Sequence, residues 1–402
     1  MRVEHPTFEP DYKDGSGKTF PKPGRKSRIC VIGAGAFGGW SALHLLRNEF
    51  EVTLVDAWGP GNSRSSSGDE TRVTRSTYGR NELYFQMNVR SLEIWKEHEK
   101  LFTQKIFHNT GVLWFCYGES TPIVDDSIRF SEKYNCPYEY LDLTEIRKRY
   151  PEVNTHDLHH AWFDSYGGYL KAREACAQVV KCFLNEGGTY IQHAAVPEET
   201  ATRRMNYVIL DNGEKVKADL FIFACGSWLP KLFPAELGGV VNPTRQEVYY
   251  FGVPNEGAIT FDRMPAWIDA DGVSMYYGIA GNAQRGFKLG VDIRGQNFDP
   301  TSDERLPDPD VLGAARKFLG HRFPRLKTAP LLESRVCPYE NSPSGNFILD
   351  FLPGRENVIV VGGGSGHGFK HGPALGELVA KALTGQSDVP LLFSLSSQYP
   401  SR

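Results

Sequence analysis

The chain has 402 residues, 40% hydrophobic and 12% aromatic, so it is long enough for two lobes with sizeable cores. Its 45 Lys and Arg residues nearly balance 48 Asp and Glu residues, which excludes the basic field that nucleic acid or an acidic membrane surface requires. Seven isolated cysteines without a CxxC pair exclude a disulfide framework and a zinc site, and no metal is expected. We therefore expect a cytoplasmic monomer that acts on small molecules, without nucleic-acid or membrane partners.

Residues 1–26 are polar and rich in proline, glycine and charge, with no apolar stretch that could serve as a signal peptide. We predict a flexible or surface-draped extension here. The whole sequence lacks a run of about eighteen apolar residues, the length that a membrane-spanning helix needs. A membrane-spanning segment is therefore not expected.

The first ordered element is predicted at residues 28–32, an apolar strand that leads into a glycine-rich turn and a helix through Leu46. In a dinucleotide site, a glycine at the position of Gly33 forms the tight turn, and one at the position of Gly35 lets backbone N–H groups approach a pyrophosphate. A glycine at the position of Gly38 lets the helix pack closely on the strand. A second strand ends in Asp56, 23 residues after Gly33. Its carboxylate can accept from ribose hydroxyls and disfavours a 2′-phosphate. A chance glycine cluster is the competing interpretation.

Two later apolar strands, residues 220–224 and 358–361, each end in a turn of small residues and are typical of central strands in a nucleotide-binding sheet. The second leads into another glycine-rich turn and a helix that starts near Gly372. Paired glycine turns suit a chain that must hold both ends of a flavin dinucleotide, so FAD is favoured over NAD. The alternative is an ordinary glycine loop that closes the sheet.

Strand patterns at residues 108–117 and 267–295 predict a second lobe with an antiparallel sheet. We therefore predict a two-lobe α/β flavoprotein. Its Rossmann-type FAD-binding domain is discontinuous and comprises residues 27–107, 155–240 and 335–402. The substrate domain, on a mostly antiparallel sheet, comprises residues 108–154 and 241–334.

Several short motifs combine into one pattern. They are Thr-Arg-Val-Thr-Arg at residues 71–75, Asn-Pro-Thr-Arg-Gln at 242–246, Tyr-Tyr-Gly at 276–278, Gly-Phe-Lys-Leu-Gly at 286–290, Cys-Pro-Tyr at 337–339, Phe-Ile-Leu-Asp at 347–350 and Ser-Gly-His-Gly-Phe-Lys at 365–370. This combination resembles monomeric sarcosine oxidase and its relatives, the pipecolate and N-methyltryptophan oxidases, in the D-amino-acid-oxidase superfamily. The resemblance covers most of residues 28–385.

The resemblance implies a flavin attached through its 8α-methyl group to Cys337. It also implies that Lys288 lies beside the flavin and activates oxygen, where a buried cation stabilises developing negative charge. It implies that Arg75 and Lys370 bind the substrate's carboxylate and that the phenol of Tyr277 lines the same pocket. It also implies that Arg72 lies near the flavin.

Each residue alone leaves another interpretation open. Cys337 could be a plain buried cysteine, and Lys288 could reach solvent from its strand. Alternation along residues 286–290 puts Lys288 on the face opposite Phe287 and Leu289, which permits either interpretation.

The candidate catalytic residues are Arg72, Arg75, Tyr277, Lys288 and Lys370. The candidate substrate-binding residues are Arg75, Tyr277, Asp292 and Lys370. The candidate cofactor-binding residues are Gly33, Gly35, Ala36, Phe37, Gly38, Asp56, Ser65, Ser66, Thr71, Arg72, Val196, Cys225, Gly226, Trp228, Cys337, Gly364, Ser365, Gly366, His367, Gly368, Phe369 and Lys370.

Two positions depart from the family's pattern. Asp292 stands where sarcosine oxidase has a histidine four residues after the lysine, and Gly68 stands where the family has a histidine before the first arginine. The inner pocket therefore differs from that of a sarcosine specialist. A carboxylate at residue 292 predicts a preference for a cationic or hydrogen-bond-donating substrate group.

These patterns together predict an FAD-dependent oxidase of a small amino acid or secondary amine that carries a carboxylate. Oxidation would give an imine that water hydrolyses, and molecular oxygen would be reduced to hydrogen peroxide. Three alternatives stay open: a flavin dehydrogenase with another electron acceptor, a biosynthetic oxidase of a cyclic amine or imine, and an NAD-dependent enzyme.

Overall fold

The computed structural model describes residues 9–10, 12, 17–24, 26–200, 202–253, 263–271, 275–281 and 285–398. Within these ranges the strands are β1 (Arg28–Ile32), β2 (Glu51–Val55), β3 (Thr71–Thr74), β4 (Phe107–His108), β5 (Val112–Cys116), β6 (Tyr138–Leu141), β7 (His160–Asp164), β8 (Gly168–Lys171), β9 (Thr189–Ile191), β10 (Ala195–Pro197), β11 (Tyr207–Leu210), β12 (Lys215–Lys217), β13 (Leu220–Phe223), β14 (Asn242–Phe251), β15 (Ala266–Ala270), β16 (Met275–Ile279), β17 (Phe287–Val291), β18 (Leu331–Asn341), β19 (Ile348–Phe351) and β20 (Val358–Gly362). The α-helices are α1 (Ala36–Arg47), α2 (Glu82–His98), α3 (Pro122–Lys133), α4 (Leu143–Arg149), α5 (Ala172–Asn185), α6 (Leu229–Leu232), α7 (Pro234–Leu237), α8 (Pro309–Arg322) and α9 (Gly372–Thr384). None of these helices is both long and apolar enough to cross a membrane.

The predicted nucleotide-binding strands form a six-stranded sheet in the order β19-β20-β13-β1-β2-β9. The strands from β20 to β9 are parallel, and β19 closes the edge antiparallel to β20. Helices α1, α2, α5 and α9 bury one face, and the small sheet β10-β11-β12 covers the other. The predicted Rossmann-type fold is confirmed.

Strand β1 shows why the strands of this sheet have continuous apolar sequences. Ile29 and Val31 face the helices, whereas Cys30 and Ile32 belong to the core under the small sheet. Because both faces are covered, both phases of the strand's alternation must be apolar.

The second lobe contains an eight-stranded sheet in the order β18-β14-β17-β16-β15-β5-β7-β6. Its neighbours pair antiparallel except β15 and β5, which are parallel. Helices α4 and α8 pack against one face of this sheet. The prediction of a mostly antiparallel substrate sheet is confirmed.

Two predicted domain boundaries differ from the sheets of the structure. Strand β7 pairs with β5 and β6, although residues 155–240 were assigned to the FAD-binding domain. The predicted boundary at residue 335 also falls inside β18, which pairs with β14 over its whole length. The sequence alone does not mark either position, because strand pairing joins segments that are far apart in the chain.

The predicted N-terminal extension lies partly outside the described residues, which omit 1–8, 11, 13–16 and 25. Its described part packs on the FAD-binding lobe, where the side chains of Tyr12 and Phe20 are buried. Backbone hydrogen bonds of 2.8 and 3.0 Å join Lys18 to Val389. This part of the extension is therefore surface-draped, which was one of the two expectations.

The close packing of α1 on β1 gives a testable prediction at Gly38. A Cβ atom there would lie 1.8 Å from the carbonyl oxygen of Gly33, whereas a Cβ atom at Gly39 would meet nothing closer than 3.5 Å. We expect Gly38→Ala to lower the free energy of unfolding by about 2 kcal/mol, because the backbone must move. The matched variant Gly39→Ala should be neutral or raise it by about 0.5–1 kcal/mol. Urea unfolding checks both, and equal stability of the two variants would contradict the packing role of Gly38.

Candidate functional site

A cleft with a cavity volume of about 310 Å³ runs across the carboxyl ends of the parallel strands β1, β2, β13 and β20. Ligands of open α/β sheets bind at this edge. Both glycine-rich turns line the cleft, the first through Gly33 and the second through Gly364. The cleft therefore joins the two turns that a dinucleotide would contact.

The turn between β1 and α1 forms one wall of the cleft. Gly33 adopts a φ of 105° and donates to the carbonyl of Val55 at 2.7 Å. Helix α1 begins at Ala36 without a side-chain cap on its first turn, and Ser67 accepts from the Ala36 N–H at 3.1 Å. The positive end of this helix thus faces the cleft and suits a phosphate.

Asp56 lies at the end of β2, where it was predicted. Its carboxylate accepts backbone hydrogen bonds from Ala34 at 2.8 Å, Trp58 at 2.9 Å and Gly59 at 2.7 Å. Burial nevertheless raises the pKa of Asp56. Because the carboxylate lines the cleft, it is placed to accept from ribose hydroxyls.

Most predicted cofactor-binding residues line this cleft, namely Gly33, Gly35, Ala36, Phe37, Asp56, Ser65, Ser66, Arg72, Val196, Cys225, Gly226, Trp228, Gly364, Gly366, Gly368 and Phe369. The others lie behind or beside its lining: Gly38, Thr71, Cys337, Ser365, His367 and Lys370.

Two of the predicted cofactor-binding residues, Ser365 and His367, form contacts within the glycine-rich turn that precedes α9 and do not face the cleft. Ser365, at a φ of 45°, donates to the carbonyl of Gly363 at 3.0 Å and accepts from the N–H of Ser342 at 3.1 Å. The ring of His367 stacks on Phe347 at 4.9 Å between centroids. These contacts turn both side chains away from the space that a cofactor would fill.

A buried group of polar side chains lies beside the cleft, and we call Asp69, Arg72, Tyr250 and Lys288 the Asp69 cluster. Asp69 is 0% exposed and Lys288 is 1% exposed, and they form an ion pair. Arg72 donates to Asp69 at 2.6 Å, and the Tyr250 hydroxyl donates to it at 2.7 Å. The Lys288 ammonium also donates to the carbonyl of Thr71 at 2.7 Å. Lys288 is therefore a fixed buried cation and does not reach solvent.

The charges in the Asp69 cluster depend on one another. Burial alone would raise the pKa of Asp69, but Lys288 and Arg72 outweigh burial and hold that pKa below its usual range. Burial lowers the pKa of Lys288, and Asp69 opposes this effect. Removing Asp69 would thus leave Lys288 without the partner that keeps it charged.

Cys337 is buried in β18, opposite Gln246 of β14. Burial, with Asp69, raises the pKa of its thiol, while Arg72 and Lys288 lower it. The thiol therefore lies within the electrostatic reach of the Asp69 cluster.

A second group, the Arg75 cluster, consists of Arg75, Tyr78, Asp292 and Lys370. The Arg75 guanidinium lies 4.8 Å from the Tyr78 ring centroid, and the Lys370 ammonium lies 5.2 Å from it. Arg75 donates to the carbonyl of Thr77, and Lys370 donates to the carbonyl of His367 at 3.0 Å. Neither cation forms a direct ion pair with a carboxylate among the residues that the structure describes.

Asp292 brings negative charge to the Arg75 cluster. Burial raises the pKa of Asp292, and Arg75 and Lys370 lower it. Burial and Arg75 hold the pKa of Lys370 well below its usual value, and Asp292 opposes them. The cluster therefore has two basic side chains and one carboxylate within electrostatic reach of one another.

Tyr277 links the two clusters. Its ring lies over Gly290, where a Cβ atom would be 2.3 Å from the ring carbon Cζ. The Lys288 ammonium lies 5.9 Å from the ring centroid, and Asp292 acts on the phenol from the other cluster. Burial raises the pKa of Tyr277, so the phenol stays protonated and can donate.

Asp69, Tyr78, Tyr250, Tyr339 and Glu340 belong to this site but were not among the predicted residues. The sequence could have indicated Tyr339, because residues two apart on a strand share a face and Tyr339 follows Cys337 by two. In the structure Tyr339 lines the cleft. Asp69 and Tyr250 carry no such signal, since 181 residues separate these hydrogen-bonded partners.

The predicted departure at Gly68 has a steric reason. A Cβ atom at Gly68 would lie 1.9 Å from the carbonyl oxygen of Asn62. The loop therefore has no room for a side chain at residue 68 in this conformation.

The chain is similar to known oxidoreductases over most of its length. The family described as "FAD dependent oxidoreductase" (DAO) matches residues 28–382. The chain is 28% identical to monomeric sarcosine oxidase of Arthrobacter sp. (strain TE1826), over 92% of this chain and 95% of that one. It is 30% identical to N-methyl-L-tryptophan oxidase of Salmonella dublin, over 90% and 96%. The fold of L-proline dehydrogenase from P. horikoshii superposes with a TM-score of 0.78 at 20% identity, covering 94% and 98%.

Proposed function

The chain belongs to the DAO family of FAD-dependent oxidoreductases, and we propose that it oxidises a small amino acid or secondary amine that carries a carboxylate, with oxygen as electron acceptor. The observation that carries this proposal is the convergence of Arg75 and Lys370 on one ring beside the cleft. Neither basic side chain has a direct carboxylate partner among the described residues, and a substrate carboxylate would favour the charged form of both.

The residues of the cleft fit FAD. The uncapped start of α1 suits the pyrophosphate, and Asp56 suits the adenosine ribose. The turn before α9 places the positive end of that helix near the other end of the cleft. When bound, the flavin supplies the electron-accepting ring for C–H oxidation next to nitrogen.

The Arg75 cluster positions the substrate. The planar guanidinium of Arg75 can bind a carboxylate through two hydrogen bonds, and Lys370 adds a point charge. Tyr277 donates from the side of the Asp69 cluster. These contacts orient the substrate's C–H bond, and orientation is a large part of catalysis between two bound groups.

Lys288 serves the reaction with oxygen. Electron transfer to oxygen creates negative charge, which a fixed cation in a water-excluded site stabilises without reorganisation. Asp69 and the carbonyl of Thr71 hold the ammonium in place.

The direct test measures oxygen consumption and peroxide formation by the yellow purified protein with a panel of amino acids, N-methylated amino acids, cyclic amines and simple amines. We expect peroxide with the carboxylate-bearing members. Turnover of these members with an artificial dye but not with oxygen would identify a dehydrogenase. Simple amines as the best substrates would contradict the proposal, and a colourless protein that holds NAD would overturn the FAD assignment.

We further propose a thioether between Cys337 and the flavin, which rests on the family motif and on the position of the thiol beside Arg72 and Lys288. We expect acid-precipitated protein to stay yellow and its intact mass to exceed that of the polypeptide by one FAD. Cys337→Ser should release all flavin into the supernatant.

The matched control is Cys182→Ala, which changes another buried thiol in α5. It should keep the added mass. A colourless pellet from the unmodified chain would leave Cys337 as a structural residue, without affecting the assignment of FAD.

Asp292 gives a prediction about specificity. We expect substrates with an additional cationic or hydrogen-bond-donating group to exceed sarcosine in kcat/KM, because Asp292 attracts such a group in a half-buried site. Asp292→Asn should reduce this preference about tenfold, which corresponds to the loss of one charge-assisted hydrogen bond. Asp292→His, the residue of sarcosine oxidase, should shift the ranking toward sarcosine. A ranking with sarcosine first in the unmodified chain would contradict this role.

A further inference from the structure

Glu340 is a buried carboxylate in the wall of the cleft, and its side chain has no role in the mechanism described above. It is 9% exposed and lies near the end of β18. Its Oε2 atom has no hydrogen-bond partner among the described residues. A buried acceptor without a partner is costly, so a ligand group that donates hydrogen bonds would satisfy it.

Glycines let the backbone pack closely against the Glu340 carboxylate in the wall of the cleft. Cβ atoms at Gly226 and Gly362 would each lie 3.4 Å from Oε2, and a Cβ atom at Gly364 would lie 2.9 Å from Oε1. The N–H groups of Gly363 and Gly364 bind the carboxylate. Burial outweighs these bonds and raises the pKa of Glu340 to about 7, because no neighbouring cation opposes it.

The position of Glu340 along the cleft identifies the ligand group. Asp56 and Val196 line one end, and Arg72 and Phe369 line the other. Glu340 packs against Gly226, which follows β13, and against Gly364, which lies in the second glycine-rich turn after β20. A phosphate is a poor partner for Glu340, because it has no hydrogen to donate to Oε2 and would repel the ionised form of the carboxylate. The sugar-alcohol chain between pyrophosphate and flavin ring carries hydroxyls, which donate.

We propose that Glu340 accepts hydrogen bonds from the ribityl hydroxyls of FAD. The inference rests on the proposed binding of FAD in the cleft. It assigns Glu340 to cofactor binding, with no part in substrate oxidation. The same carboxylate destabilises the empty protein, because it stays buried with one oxygen unsatisfied.

The test measures flavin affinity in a Cys337→Ser background, where the cofactor can dissociate. Fluorescence titration of the apoprotein should show that Glu340→Gln weakens FAD binding about tenfold, as expected when hydroxyls lose a carboxylate as hydrogen-bond acceptor. Binding of lumiflavin and ADP, which lack the ribityl chain, should not change. The melting temperature of the apoprotein should stay the same or rise, whereas a merely structural glutamate would lower it.

Unchanged FAD affinity in Glu340→Gln would overturn the inference. Equal losses for FAD and ADP, or for FAD and lumiflavin, would do the same, because they would place the carboxylate elsewhere or indicate a misfolded cleft. Failure of the Cys337→Ser parent, with Glu340 intact, to bind FAD would contradict the proposed function itself.

Discussion

Replacement of Lys288 by methionine is expected to slow reoxidation of the reduced enzyme by oxygen about 100- to 1000-fold. Methionine keeps the length of the side chain and removes its charge. The ammonium is 1% exposed and is held by Asp69 and Thr71, so no mobile cation replaces it. Anaerobic reduction by substrate should change far less, because that step does not place negative charge on oxygen.

Rapid mixing of the reduced protein with air-saturated buffer measures this effect. Lys217→Met, a change at an exposed lysine of β12, is the matched control and should leave both half-reactions unchanged. An equal loss in both half-reactions of Lys288→Met would indicate a distorted site, and normal reoxidation would exclude Lys288 from the oxygen reaction.

Asp69→Asn extends this prediction to the partner of the lysine. Without Asp69, burial and Arg72 both favour the neutral amine of Lys288. The charged fraction of Lys288 should then fall at lower pH than in the unmodified chain, so reoxidation should slow with rising pH from a lower pH than in the unmodified chain. Tyr250→Phe removes only a neutral hydrogen bond from the same carboxylate and should keep the pH profile of the unmodified chain. A flat profile for Asp69→Asn would show that Asp69 does not control the charge of Lys288.

The sequence predicts the parts of this fold in which local pattern and chemistry coincide. The turn at Gly33 is an example, because strand, glycines and helix must lie together in the chain to hold a phosphate. Alternation in β17 likewise separates Lys288 from Phe287 and Leu289, and those two side chains are in the core on the opposite face. The alternation does not predict what the Lys288 ammonium contacts, and in the structure it forms an ion pair with Asp69.

The partners of these residues could not be predicted in the same way. Lys288 and Asp69 are separated by 219 residues, and Tyr78 and His371 by 293, so no local periodicity relates them. The burial of Glu340 could not be predicted for another reason. An isolated glutamate in a strand normally indicates a solvated face, whereas here neighbouring glycines let the backbone pack against the buried carboxylate.

Replacement of Arg75 by glutamine or of Lys370 by methionine is expected to raise the KM for a carboxylate-bearing substrate about 100-fold, because each change leaves a buried carboxylate with one cation instead of two. The two cations share the Tyr78 ring at 4.8 and 5.2 Å, so the second replacement should add less than the first. The methyl ester of the same substrate is the matched probe, since it keeps the amine and lacks the charge. The unmodified chain should discriminate strongly against the ester, and both variants should lose most of this discrimination while retaining bound flavin. Steady-state kinetics with acid and ester measures the ratio directly. A similar rise in KM for both compounds would mean that Arg75 and Lys370 support the pocket without binding the carboxylate.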